Sequence, residues 1–239
     1  MEGGQAQALA YVEVAMRIGE SVDPSVVGGK AANLGKLKNA GFKVPDGWVY
    51  LDLDSYYDSW GKVVGEVGLD KAKQILESQY HNVAVRSSAR GEDSGSHSFA
   101  GIYESYLNVD FSIVDETIQK CIDSGNTARA DAYRERFDLP KETPAVIIQD
   151  MVDAEIAGII FTKHPVDGEG MLIEAVYGLG EKLVQGGNPD ATLSESQEAE
   201  LKATARLIET LFGSPQDIEW AFDKDGVLWI LQSRPITTI

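Results

Sequence analysis

Cysteine is almost missing from this sequence. Cys121 stands alone among 239 residues, so no internal disulfide can form and a reducing cytoplasm is the expected compartment. It falls within an apolar helical pattern and reads as buried filler. Positive charge is also scarce: 21 Lys and Arg stand against 38 Asp and Glu, for a formal net charge of −17. That field repels nucleic-acid phosphates and anionic membrane surfaces, which argues against both as general partners. It would repel a nucleotide as well, so any nucleotide site must gather its few cations locally. The three histidines, His81, His97 and His164, have no metal-ligand spacing with the cysteine or with one another. They read as surface or loop residues, with His97 in the loop that follows Arg86. No apolar run approaches the ~20 residues of a membrane span. Met1 to Ala10 carries neither a cationic start nor an apolar core, so no signal peptide is expected. Internal repeats and low-complexity segments are absent too.

What remains is ordinary for a chain that buries a core: 43% hydrophobic and 25% charged residues. The length suits one large domain or two small lobes. Strand and helix signals alternate throughout, which points to a mixed α/β or α+β fold. Gly28-Gly29 leads into a helix whose face is Ala31, Leu34 and Leu37, with Gly41 as its stop. Val83-Ala84-Val85 reads as a short buried strand, and Arg86 to Ser98 as a polar loop. Ile113 to Phe137 reads as one long amphipathic helical stretch. Pro140 and Pro144 bracket a connector, and the lobe boundary is placed there: 1–144 and 145–239. Ala145–Gln149, Gly158–Phe161 and Met171–Val176 read as strands. Ser194 and Gln197 form a capping box for a helix running to Phe212. Asp217 to Ser233 reads as a β-hairpin turning at Asp223–Gly226.

The hairpin carries the strongest chemical signal. Pairing Phe222 with Val227 sets Trp220 opposite Trp229 and Ile218 opposite Leu231, so one face is apolar and packs on a core. The other face carries Glu219, Gln232 and Arg234. Carboxylate and amide oxygens suit a hard cation, and a guanidinium suits phosphate. A plain surface ion pair between Glu219 and Arg234 would give the same pattern. Arg86 to Asp93 is a small-residue loop of a kind that presents N–H groups and hydroxyls to phosphate, or a polar loop without a ligand. Gly28-Gly29-Lys30 opens a helix, and a helix N-terminus with a lysine attracts anions. Tyr177-Gly178-Leu179-Gly180-Glu181 follows a strand and allows either close backbone approach or a tight turn.

In this order, these segments resemble the ATP-binding domain of the pyruvate phosphate dikinase, phosphoenolpyruvate synthase and rifampicin phosphotransferase family. The matching stretches are Val27–Gly35 with Val44–Gly47, Val85–Ala89 with Glu92-Asp93 and Ser98–Gly101, Ile148–Val152, Glu174–Glu181 with Gly186 and Pro189-Asp190, Gly213–Ala221, and Leu231–Pro235. The resemblance implies an α+β ATP-grasp fold, two lobes clamping Mg²⁺–ATP. It implies that Lys30 and Arg86 bind phosphates, that Gly101 and Ser105 lie on a phosphate-covering loop, and that Gln149 and Met151 lie at the adenine hinge. Glu219 and Gln232 would hold Mg²⁺, and Arg234 would bind phosphate, with Arg86 and Arg234 as the catalytic pair.

The sequence departs from the family in four places. Arg90 stands where the family usually has threonine. The stretches between Lys30 and Arg86, and between Asp190 and the hairpin, are shorter. The family passes phosphate to a histidine in a Thr-x-Gly-Gly … Ser-His-x-Ala setting, and these 239 residues contain no such motif. The expectation is therefore an ATP-dependent phosphotransferase unit that delivers phosphate to a histidine on a partner or another domain. A reduced kinase or ligase acting directly on a small substrate, and a nucleotide-sensing module, remain as alternatives.

Overall fold

The computed structural model describes residues 14–51, 67–68, 74–75, 77, 82–90, 103–137, 143–184 and 186–236. The elements are β1 (Val14–Arg17), α1 (Pro24–Asn39), β2 (Gly47–Leu51), β3 (Val67–Gly68), β4 (Asn82–Ser88), β5 (Ser105–Asp110), α2 (Val114–Ser124) and α3 (Ala128–Phe137). They continue with β6 (Ala145–Asp150), β7 (Ala154–Phe161), β8 (Leu172–Tyr177), α4 (Glu181–Val184), α5 (Glu195–Phe212), β9 (Gln216–Asp223) and β10 (Leu228–Pro235).

Two sheets organise the chain. The first has the order β3-β1-β2-β6-β4-β5, the second β10-β9-β7-β8. Every strand pairing among the described residues is antiparallel, which places the fold in the α+β class. The sequence boundary at 144/145 does not coincide with the change of sheet. β6 pairs with β2 and β4 in the first sheet, and the second sheet begins with β7. The physical reason is visible in β6 itself. Ala145 and Ile147 belong to one core, Val146 and Ile148 to another. A strand apolar on both faces is stable only as a central strand.

The first core lies between α1, one face of the six-stranded sheet, the second sheet and α5. It brings Val27, Leu34 and Leu37 together with Ile147, Trp220, Phe222, Ile230, Leu201 and Ile208. The second core lies beneath α2, where Val114, Ile118 and Cys121 meet Val83, Val85 and Ile148. Cys121 is buried, as its pattern implied.

Local signals hold in several places. Ser194 and Gln197 make the reciprocal capping box, and α5 ends on Gly213 in the left-handed conformation. The stretch 113–137 is not one helix. A 3-10 turn at Phe111–Ile113 precedes α2, and Gly125-Asn126-Thr127 separates α2 from α3. Arg134 returns from α3 to donate to the Gly125 carbonyl, so the break is held by a buried guanidinium.

α1 begins earlier than Gly28. Asp23 caps it, accepting from Ser25 N–H, and Pro24 occupies its first turn. The helix is interrupted at Gly28, whose φ of 75° and ψ of 167° are not helical, and a fresh turn starts there. Only glycine fits: a Cβ at Gly28 would stand 2.0 Å from the Ser88 carbonyl oxygen. Close approach lets Ser88 Oγ donate to Val27 O and accept from Ala31 N–H, while Gly29 N–H donates to Ala89 O. The end of β4 is thereby locked onto the start of the Lys30 turn.

Candidate nucleotide site between the two sheets

β4 is longer than its apolar part. The sequence pattern ends the strand at Val85, yet Arg86, Ser87 and Ser88 continue it and are buried. Polar residues persist in a buried strand when their groups find partners, and Arg86 finds them on the other sheet. Its Nη1 donates to the Leu231 carbonyl at 2.8 Å. Its Nη2 donates to Glu219 Oε2 at 2.9 Å and to Gln232 Oε1. Two of the residues singled out in the sequence, Glu219 and Gln232, therefore converge on the guanidinium of a third. Ser105 stands directly opposite Arg86 on β5 and is exposed.

The hairpin of β9 and β10 has a different register from the one alternation predicts. Phe222 pairs with Leu228, Ala221 with Trp229 and Trp220 with Ile230, and a bulge at Leu231 then brings Gln232 opposite Glu219 and Arg234 opposite Asp217. The apolar face is built from Ile218, Trp220, Phe222, Leu228 and Ile230. Trp229 is only partly buried, and its ring nitrogen donates to Asp223. The single extra residue at Leu231 reverses the alternation, so Gln232 and Arg234 still share the face of Glu219.

Two more acidic residues join that face. Asp217 accepts from Arg234 Nε at 2.8 Å, with Nη2 at 2.7 Å. Burial raises its carboxyl above the usual range, Arg234 opposes the rise, and the charges of Glu219 and Glu174 add to it. Glu174 lies in the same cross-strand row as Glu219, through Ile159 of β7. Period-two spacing from Glu219 was the signal that could have picked out Asp217.

Lys30 is buried in the first turn after the Gly28 break. The backbone N–H groups of Gly29 and Ala31 are bound to Ala89 O and Ser88 Oγ, so they do not form the open anion site expected of this helix start. Gln149 is buried too, and its amide donates to Pro45 O at 3.1 Å. Its side chain supports the β2–β6 edge instead of standing open at the hinge. Met151 follows β6 and its sulfur accepts from Asn108 N–H at 3.4 Å. Next to it, Asp150 has its carboxyl raised to about 6, first by burial and then by the charge of Asp46, against a backbone hydrogen bond from Met151. His164 lies in the turn after β7, with Nδ1 3.1 Å from Asp167. Gly101, the Ser98–Gly101 match, His81 and His97 lie outside the described residues.

The antiparallel two-sheet architecture with charged groups gathered between the sheets defines an ATP-grasp fold. Solved structures agree. An N5-carboxyaminoimidazole synthase from Aspergillus clavatus, solved with ADP and its ribonucleotide, aligns with a TM-score of 0.51 at 10% identity, over 89% of this chain and 45% of that one. A carboxyaminoimidazole ribonucleotide synthase from Aspergillus clavatus, complexed with ATP, aligns with a TM-score of 0.50 at 10% identity and the same coverage. At that identity the likeness concerns the fold alone.

Sequence comparison narrows the class. The profile of the pyruvate phosphate dikinase AMP/ATP-binding domain matches residues 66–200 and 187–239. The chain belongs to that family of AMP/ATP-binding domains. A probable phosphoenolpyruvate synthase of Methanothermobacter thermautotrophicus is 33% identical over 318 residues, spanning 96% of this chain and 46% of the relative. One from Archaeoglobus fulgidus is 33% identical, spanning 91% and 40%. A rifampicin phosphotransferase of Bacillus cereus is 32% identical, spanning 90% and 34%. The chain thus spans less than half the length of these relatives. The 318 aligned positions also exceed its 239 residues, so the relative carries extra residues within the matched region. Among the described residues no helix is long and apolar enough to cross a membrane.

Proposed function

We propose that the face of Arg86, Glu219, Gln232, Arg234 and Lys30 binds Mg²⁺–ATP and that the chain transfers a phosphoryl group from it to a histidine on a partner or another domain. The observation that carries this reading is the convergence of Glu219 Oε2 and Gln232 Oε1 on a single nitrogen of Arg86. Two oxygens that close together, on adjacent strands, fit Mg²⁺, which keeps most of its shell as water and phosphate oxygen and takes few protein ligands. When bound, Mg²⁺ supplies charge neutralisation for the phosphate oxygens.

The chain's own residues do the rest. Arg86 and Arg234 bring guanidinium charge to the phosphate oxygens, and Lys30 adds a point charge. The burial of Arg86 and Lys30 strengthens their contacts relative to water, while Arg234 is only half-buried. Gln149 and Met151 are assigned to the segment that reads the base, and the Gln149 amide also fixes the strand edge through Pro45. Gly101 and Ser105 are assigned to the segment that covers the phosphates. A lone buried thiol suits the cytoplasm.

The test is to incubate the purified chain with Mg²⁺–ATP, with and without a protein carrying the family's phosphohistidine motif. Binding is expected to raise the melting temperature, since ligand at ~100-fold its Kd adds about 2.7 kcal/mol. Cleavage is expected to be slow alone, because water replaces a positioned nucleophile, and fast with the partner. The partner should retain acid-labile, base-stable phosphate, and the nucleotide product should be identified as AMP or ADP. No melting shift at millimolar Mg²⁺–ATP would remove the reading. Rapid phosphorylation of a small molecule by the chain alone would replace it with a direct kinase or ligase.

A further inference from the structure

β10 is an edge strand of the second sheet, and its outer edge is closed by groups that are not strands. Ile230 N–H donates to the Lys43 carbonyl, the Leu231 carbonyl accepts from Arg86, and the Ser233 carbonyl accepts from Asn33 Nδ2 at 3.0 Å. Lys43, Arg86 and Asn33 all belong to the first half of the chain. Asn33 lies three residues after Lys30, hence on the same side of α1 one turn further on. Ser233 lies between Gln232 and Arg234. A single amide thus joins the turn that carries Lys30 to the peptide flanked by two of the proposed ligand groups.

The joint is continued inward. Ser233 Oγ donates to Gln216 Oε1 at 2.7 Å, and Gln216 N–H donates to Thr162 Oγ1 at 2.8 Å. Gln216 Nε2 is held by Ser214 and Pro215. Asn33, Ser233, Gln216 and Thr162 are all buried. Gln216 immediately precedes Asp217, the carboxylate that holds Arg234. The polar chain therefore fixes Arg234 from both sides, through its own strand and through its partner's. It also passes just beyond the Leu231 bulge, where ladder pairing alone leaves the register least determined.

We infer that Asn33 is a positioning residue, one that sets Gln232 and Arg234 relative to Lys30 without touching the nucleotide. The inference rests on the Mg²⁺–ATP reading above. A side chain held by buried hydrogen bonds keeps the geometry a charged ligand needs. Losing the Asn33 donor frees the Ser233 peptide to tilt, and a small tilt there displaces two ligand groups at once. The cost falls on the triphosphate, which those groups hold, and not on the nucleoside, which the hinge holds.

The experiment compares affinities for Mg²⁺–ATP and for AMP in the full chain and in Asn33→Ala, Asn33→Leu and Ser233→Ala. The expected result is roughly a tenfold loss for Mg²⁺–ATP, the scale of one buried hydrogen bond, with AMP affinity nearly unchanged, in variants that retain the native circular dichroism. A purely structural role would leave the ATP-to-AMP ratio of the folded variants at the wild-type value, and that outcome overturns the inference. So does failure of all three variants to fold, which would make Asn33 a folding residue. If the wild-type chain itself binds no Mg²⁺–ATP, the parent reading has failed instead.

Discussion

Arg86 Nη2 lies 2.9 Å from Glu219 Oε2, an ion pair between strands of different sheets. Arg86 is the more buried of the two, and Glu219 keeps part of its carboxylate open between the sheets. Removing the arginine leaves Glu219, Asp217 and Glu174 on one face without that counter-charge. Arg86→Ala should therefore destabilise the chain by about 1–3 kcal/mol, reduced from the cost of a fully buried broken pair because Glu219 meets solvent. Arg86→Lys should recover part of the stability but not the nucleotide binding, since an ammonium cannot reach Glu219, Gln232 and Leu231 O in a planar fork. Urea unfolding and nucleotide titration of both variants check this. Equal loss of binding and stability in the two variants would count against the separation.

Glu219 and Trp220 are neighbours with opposite duties. Glu219→Gln should leave the fold intact and abolish metal-dependent turnover. Trp220 is fully buried, with its ring edge-on to Phe222 at a centroid distance of 5.7 Å. Trp220→Ala should cost ~3–5 kcal/mol by emptying a core site. Thermal melting and ATP cleavage measured on both variants separate the roles. A melted Glu219→Gln with normal residual activity would reverse the faces assigned to β9.

Most of the local architecture was legible. Caps, the closing turn and period-two alternation gave α5, β9 and β10, because those signals depend on a few consecutive residues. Two features were not legible, since nothing local marks either: the turn holds one residue more than alternation implies, which shifts the partners from Phe222–Leu228 onward, and the Leu231 bulge then returns Gln232 and Arg234 to the face of Glu219. Arg86 read as loop because serines and arginine lack strand propensity. Its partners stand 133 and 146 positions away in sequence, and only they make a buried strand tolerable there. The Gln149 contact was illegible for a similar reason: its amide bond to Pro45 depends on β2 lying beside β6.

The Gly28 break tests the docking of α1 on β4. Alanine there would combine an unfavourable positive φ with a contact of 2.0 Å to the Ser88 carbonyl, so Gly28→Ala should destabilise by at least ~3 kcal/mol. Gly41 is the comparator, with φ of 90° and no atom within 4 Å of the place a methyl group would take. Gly41→Ala should carry only the conformational cost, about 1–2 kcal/mol. Similar melting temperatures for the two variants would show that the close approach of Ser88 is not limiting.

Asp150 makes stability depend on pH in a defined direction. Its carboxyl is raised to about 6 in the fold, by burial first and by the charge of Asp46 second. Asp46 is itself paired with Lys38, and that pair leaves the Asp150 carboxyl still raised. In the unfolded chain the group returns to the ordinary aspartate value near 4. Between those two values the native state holds a proton that the unfolded state has released. Stability from this group therefore falls as pH rises from about 4 to about 6, and the penalty stays constant above that. Asp150→Asn cannot ionise and should be the more stable form at neutral pH. Its advantage should shrink as pH drops through 6 and vanish near 4. Urea unfolding of both proteins across pH 4 to 8, without nucleotide, reads the difference directly. Parallel curves over that range would mean that the Asp150 carboxyl titrates alike in both states and that solvent reaches it freely in the fold.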